Sequence, residues 1–200
     1  MKEGALPGRG RAPFVTLAAL GLSLAAFAAP GAFELTREGL LRGEFWRLLT
    51  GHLAHYSLYH LAVDGATLLA LGWLYEESYG PLRWALILLG AAAAVSGAFL
   101  VLEPRLSAYR GLSGLDCAAF AAAVLAEGRR RPWLAAGLAL VFAAKLVYEQ
   151  LAGGFIFPAT GLGDMGCPVL SAHTAGAAAG FLGGWRPGPR RRELIGTAAG

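Results

Sequence analysis

Apolar runs long enough to cross a bilayer recur six times in this 200-residue chain, and that recurrence restricts the fold more than any single motif does. A hydrocarbon layer roughly 30 Å thick takes a helix of about 20 mostly uncharged residues. Windows of this kind lie at about 13–29, 53–75, 82–102, 112–126, 132–151 and 168–185. The fourth is short, and the fifth carries Lys145 and Glu149. A soluble domain of this size needs a polar skin, whereas this chain is 56% hydrophobic and 15% charged, with a mean hydropathy of +0.53. Alternation of period two between regular turns, the mark of a membrane barrel, is absent. The expected architecture is an all-α membrane protein, a compact six-transmembrane-helix bundle over residues 13–185. A basic N-terminal segment, 1–12, precedes it and a basic tail, 186–200, follows.

Lysine and arginine near the span ends set the expected orientation. With the N-terminus in the cytoplasm, the inner segments hold eleven of them and the outer segments five, namely Arg37, Arg42, Arg47, Arg105 and Arg110. Both termini are therefore expected in the cytoplasm. The net charge of +4 reads as contact with lipid headgroups rather than with nucleic acid. A second reading of the N-terminus stands beside this one. The basic start followed by "FVTLAALGLSLAAFAAPGAF", with small residues near Ala26 and Ala28, has the form of a cleavable signal peptide. Its removal leaves five spans in the same orientation.

Polar side chains inside hydrocarbon are costly, so those present pair with one another or line a cavity. Four stretches hold them: "GHLAHYSLYHLAVDG" with His52, His55, His60 and Asp64; "GLSGLD" with Ser113 and Asp116; "KLVYEQ" with Lys145, Glu149 and Gln150; and "SAHTAG" with His173. His60 and Asp64, four apart, share a helix face. The second, fourth and sixth spans all enter from the outer side, so their early residues share a depth. At 1.5 Å per residue, His173 lies on the order of 7 Å below the start of its helix and Ser113 within the first turn of its own. Ser113, His173, His60 and Asp64 can thus gather in one layer that water reaches.

Such a layer has the parts for acyl transfer. A serine hydroxyl becomes a nucleophile when a neutral histidine takes its proton. Free N–H groups at a helix start, with the helix dipole, suit a developing oxyanion. The Ser113 amide and the His60 side chain are the candidate donors, with Gly111 and Gly114 giving a substrate backbone close approach. The alternative for Ser113 is a helix cap or a close-packing residue. Asp116 reads as a first-turn acid, and Lys145 with Glu149 either as a mutually neutralising pair or as groups that meet substrate. The two cysteines, Cys117 and Cys167, lack metal-site spacing, and no metal or cofactor is expected. Both would lie near the outer face, where a disulfide and plain apolar packing are the alternatives.

On these residues the chain resembles the rhomboid superfamily of intramembrane serine proteases, and within it the rhombosortases. The likeness runs from about residue 44 to 183. "EFWRLLTGHLAHYSLYHL" is similar to the rhomboid first loop and second helix, "YRGLSG" and "KLVYEQLAGG" to rhombosortase segments, and "AHTAGAAAG" to a catalytic histidine followed by a close-packed GxxxG helix. Gly176 and Gly180 would form the ridge on which the sixth helix meets the fourth. The resemblance implies Ser113 as nucleophile and His173 as base and then acid, with no third carboxylate. It implies His60, the position of Asp64, and the segment around Gly114 as the oxyanion pocket, and Trp46 and Arg47 as anchors of the first outer loop at the interface.

Two positions depart from the family pattern. Asp64 stands where rhomboids commonly carry Asn, and acts either as a protonated donor or as an acceptor holding a nearby histidine. Cys117 stands where several rhomboids place an aromatic ring against the catalytic histidine. The implied activity is an endopeptidase of a bacterial inner membrane, cutting near the outer face. Its implied partners are single-span membrane proteins with a C-terminal Gly/Ser-rich anchor of the GlyGly-CTERM type. The rival is an inactive rhomboid-like protein that escorts membrane clients. A small transporter would instead need charges near the midplane.

Overall fold

The computed structural model describes residues 11–152, 166 and 169–185. Along the chain they form α1 (Phe14–Phe27), α2 (Pro30–Phe33), β1 (Leu35–Thr36), α3 (Arg37–Leu41), α4 (Arg47–Thr50), α5 (Leu58–Tyr79), α6 (Pro81–Leu102), β2 (Ala108–Tyr109), α7 (Ser113–Gly128), α8 (Pro132–Ala152) and α9 (Leu170–Gly184). The six helices of 14 residues or more fall on the six apolar windows. By length and composition, α6 and α8 are long and apolar enough to cross a membrane. α5 has the same 22 residues as α6 but carries His60, Asp64, Glu76 and Glu77.

Local chemistry moves two helix starts from where hydropathy puts them. Ser57 is extended and its hydroxyl accepts the His60 N–H at 3.1 Å, so α5 begins at Leu58 rather than near 53. His52 and His55 therefore lie in the preceding loop. α9 begins at Leu170 rather than at 168, which puts His173 in its first turn, shallower than the sequence suggests.

The first loop is held from inside. Arg47 is buried and donates to the carbonyls of Gly31 at 2.9 Å and Glu34 at 2.7 Å, and pairs with Glu44. This corrects the expectation of an interfacial anchor: the guanidinium ties loop backbone together, while Trp46 is exposed. β1 and β2 pair antiparallel, Leu35 opposite Tyr109, joining this loop to the segment that leads into α7.

α9 lies against α7 with almost no side chain between them. A Cβ on Gly176 would sit 2.0 Å from the Gly114 carbonyl oxygen, and one on Gly180 would sit 2.1 Å from that of Ala118. Only glycine allows this approach. α1 joins the bundle through Thr16, whose hydroxyl accepts from Trp84 Nε1 at 3.0 Å and donates to Glu76 at 2.8 Å. α8 is the peripheral helix: only Ala135 and Glu149 of its residues are buried.

Candidate active site

Ser113 is the first residue of α7, and the cap position belongs to Leu112, which makes no side-chain capping bond. The hydroxyl is thus not used as a cap. It lies 3.1 Å from Nε2 of His173, 60 residues later in the chain. Ser113 is half-buried, and His173 is 1% exposed. The glycine ridge sets this meeting, since Gly176, three residues past His173, rests on the residue that follows Ser113.

The other imidazole nitrogen is also occupied. His173 Nδ1 lies 2.9 Å from Oε2 of Glu149, and Lys145 Nζ lies 2.8 Å from the same oxygen and 3.4 Å from Nδ1. The ammonium can only donate and is the more distant of the two, whereas the carboxylate can only accept and is the nearer, so the shorter contact favours an N–H on Nδ1. An N–H on Nδ1 pointing at Glu149 leaves the Nε2 lone pair facing Ser113. The expectation of no third carboxylate is corrected here: one sits on the far side of the ring. Sequence reasoning missed it because Lys145, four residues away, already explains Glu149 locally.

His60 and Asp64 do share a face, with Nε2 3.2 Å from Oδ2, and His55 Nε2 lies 3.6 Å from the same oxygen. Two imidazoles converge on Asp64, an arrangement that suits a carboxylate acting as acceptor. Tyr56 stacks on His60 with ring centroids 5.8 Å apart. One ligand atom from each of His55, His60 and Asp64 lies within 4.8 Å of the others, so among the described residues these three could hold a metal ion.

Gly111 is the glycine with room to matter to this cluster. Its φ is +122°, a backbone state that favours glycine, and a Cβ there would lie 2.9 Å from His60 Nε2. The nucleophile segment thereby runs directly over His60. Gly114 also has a packing use. A Cβ on it would strike Val95 at 2.8 Å, and its carbonyl carries Gly176, so it is a packing glycine between α6 and α9.

Tyr109 donates to the Gly111 carbonyl at 3.3 Å, and burial, with the Asp64 charge adding to it, pushes its phenol well above the usual range. It holds the segment as a neutral donor. His52 stands outside the cluster. Its Nε2 meets the Ala92 carbonyl at 3.0 Å and Ser96 at 3.1 Å, and burial pushes its pKa down to about 4, so it serves as a neutral clasp between loop and α6.

Asp116 lies buried in the first turn of α7, and Cys117 is buried and free. Its proposed partner, Cys167, falls outside the described residues. A cleft of about 640 Å³ opens beside the site, with Glu34, Arg37, Tyr56, Tyr109, Arg110 and Val169 among its lining.

A helical bundle that brings a serine at one helix start to a histidine at another, beside a pocket of imidazoles, has the layout of a serine hydrolase built among apolar helices. The profile of the Rhomboid domain matches residues 42–190, and the chain belongs to that family. Over 84 residues it is 40% identical to the "Rhomboid protease GluP" of Bacillus subtilis (strain 168). That stretch is 42% of this chain and 16% of the relative, so the chain corresponds to a small part of that protein's length.

Proposed function

We propose that this protein is an intramembrane serine endopeptidase in which Ser113 is the nucleophile and His173 the general base. The observation that carries the reading is the 3.1 Å contact between Ser113 Oγ and His173 Nε2. As Oγ attacks the scissile carbonyl, its proton passes to Nε2. The tetrahedral oxyanion is received by the N–H groups at the start of α7, which have no partners within the helix, and by the pocket around His60. Nε2 then returns the proton to the leaving amine, and water repeats the cycle on the acyl-enzyme. An escort protein without activity has no use for this contact.

The finer reading is a six-span protein with both termini in the cytoplasm, cleaving near the outer face of a bacterial inner membrane. Its substrates are single-span proteins whose C-terminal anchor is Gly/Ser-rich, of the GlyGly-CTERM type. The likeness of "YRGLSG" and "KLVYEQLAGG" to rhombosortases supports it. Glycines suit such a substrate because a helix hides its carbonyls and must unwind before attack, at about 1 kcal/mol less per Gly than per Ala.

Co-expression of a Gly/Ser-tailed membrane protein with the wild type and with Ser113→Ala tests the proposal. A smaller released product is expected with the wild type, and a loss of about 10³-fold or more in the variant. Equal processing by both removes Ser113 from the chemistry.

A further inference from the structure

We infer that Glu149, braced by Lys145, is the positioning carboxylate of the site: it fixes His173 in the tautomer that serves Ser113 and faces the charge the ring acquires in reaction. The inference rests on the Ser113–His173 reading above. It adds a function for two residues whose i, i+4 spacing by itself calls for none.

α8 presents its apolar residues outward and buries only Ala135 and Glu149. An ordinary neutralising pair has no reason to turn its carboxylate inward, because a buried ion is costly unless its partners are good. Here the carboxylate is 4% exposed and the lysine side chain 30% exposed, so the acid enters the bundle while the cation reaches in behind it. Both Lys145 Nζ and His173 Nδ1 converge on a single oxygen, Oε2. A lysine alone would satisfy the acid at the surface. The inward turn gains one thing, an acceptor for the imidazole.

The consequence for the reaction follows in order. With Nδ1–H directed at Oε2, the lone pair of Nε2 is the one that meets Ser113. When the Oγ–H bond breaks and the N–H bond forms on Nε2, the ring becomes a cation 2.9 Å from the carboxylate. Glu149 stabilises that cation without taking its proton, and the Lys145 ammonium keeps the carboxylate an anion. Residues 145 and 149 touch no reacting atom, so their role is to position His173.

The test uses the full-length protein in detergent micelles or vesicles. It reads labelling of Ser113 by a fluorophosphonate probe and cleavage of the co-expressed membrane substrate, with Ser113→Ala as the blank. Glu149→Gln keeps the shape, but its amide can turn to donate to Nδ1 and so favours the wrong tautomer. The expected result is a fall in kcat and in labelling rate of about 10²–10⁴-fold, with KM within about threefold and an unchanged melting temperature. Glu149→Asp restores part of the rate, and Lys145→Gln costs about tenfold. If Glu149→Gln does not fold, the ranking of Glu149→Asp and Lys145→Gln below wild type in kcat, at constant KM, carries the same weight.

Wild-type rates in Glu149→Gln overturn the inference while leaving the serine–histidine pair in place. So does a loss that appears equally in KM and in stability, because that pattern marks a brace between helices and nothing more. A wild type that the probe does not label at Ser113 overturns both readings.

Discussion

The two ends of the same helices handle buried polar groups in opposite ways. At the far end from the site, Glu76 accepts from the Val15 amide at 2.9 Å and from the Thr16 amide and hydroxyl at 3.0 and 2.8 Å, capping α1 from another helix. Nearby, Glu127 accepts from the Tyr75 hydroxyl at 3.1 Å and from Arg131 at 2.9 and 3.2 Å. Every carboxylate oxygen in those two clusters has a donor. At the Ser113 end, His60 Nδ1 and Asp116 Oδ1 have no hydrogen-bond partner among the described residues, and Asp64 Oδ2 has only the two imidazoles, at 3.2 and 3.6 Å. Buried polar atoms are rarely left unmatched, and the ones that are cluster where a protein keeps donors and acceptors ready for something else. The buried carboxylates Glu76 and Glu127 at one end are fully paired, and Asp116 at the other is not.

That contrast breaks most visibly at the glycine ridge. Gly176→Ala puts a methyl 2.0 Å from the Gly114 carbonyl, backbone against backbone, so α9 must shift on the order of 1 Å. Activity should fall about 10²-fold or more, with a lower melting temperature, and wild-type rates would show that α9 does not set the distance to Ser113. At the far end, Glu76→Leu strands three donors and should cost about 3 kcal/mol in unfolding free energy while the folded fraction keeps kcat within about twofold. A matching loss of kcat would place Glu76 in the chemistry and erase the difference between the ends. The smallest effect is expected for Asp64→Asn. Loss of the anion shared by His55 and His60 should lower kcat about tenfold and leave thermal stability unchanged or raised. An activity that stays level or rises would instead assign residue 64 as a neutral donor.

Much of this was legible in the chain. The six apolar windows mark the six longer helices, because a long apolar run buries its side chains best as a helix with its backbone paired within itself. The meeting of Ser113 with His173 is reached by placing their early helix positions in one layer, and the Gly176–Gly180 ridge by the close approach that glycine permits. What was not legible depends on rotation and on local capping. α8 is apolar nearly all round, so no amphipathic pattern shows which side of it Glu149 occupies, and the carboxylate on His173 stayed hidden behind its neighbour Lys145. Ser57 displaced the start of α5 because a single hydroxyl on a backbone amide outweighs a hydropathy window. Arg47 lies buried among loop carbonyls, where charge alone suggests an exposed position.

The contact between α7 and α9 is made by main-chain atoms, since Gly176 and Gly180 bring no side chain to it. The gap between hydroxyl and imidazole is therefore gauged by carbonyl groups that no substitution in α7 can remove. The reach from one reactive atom to the other holds as long as those two positions remain bare.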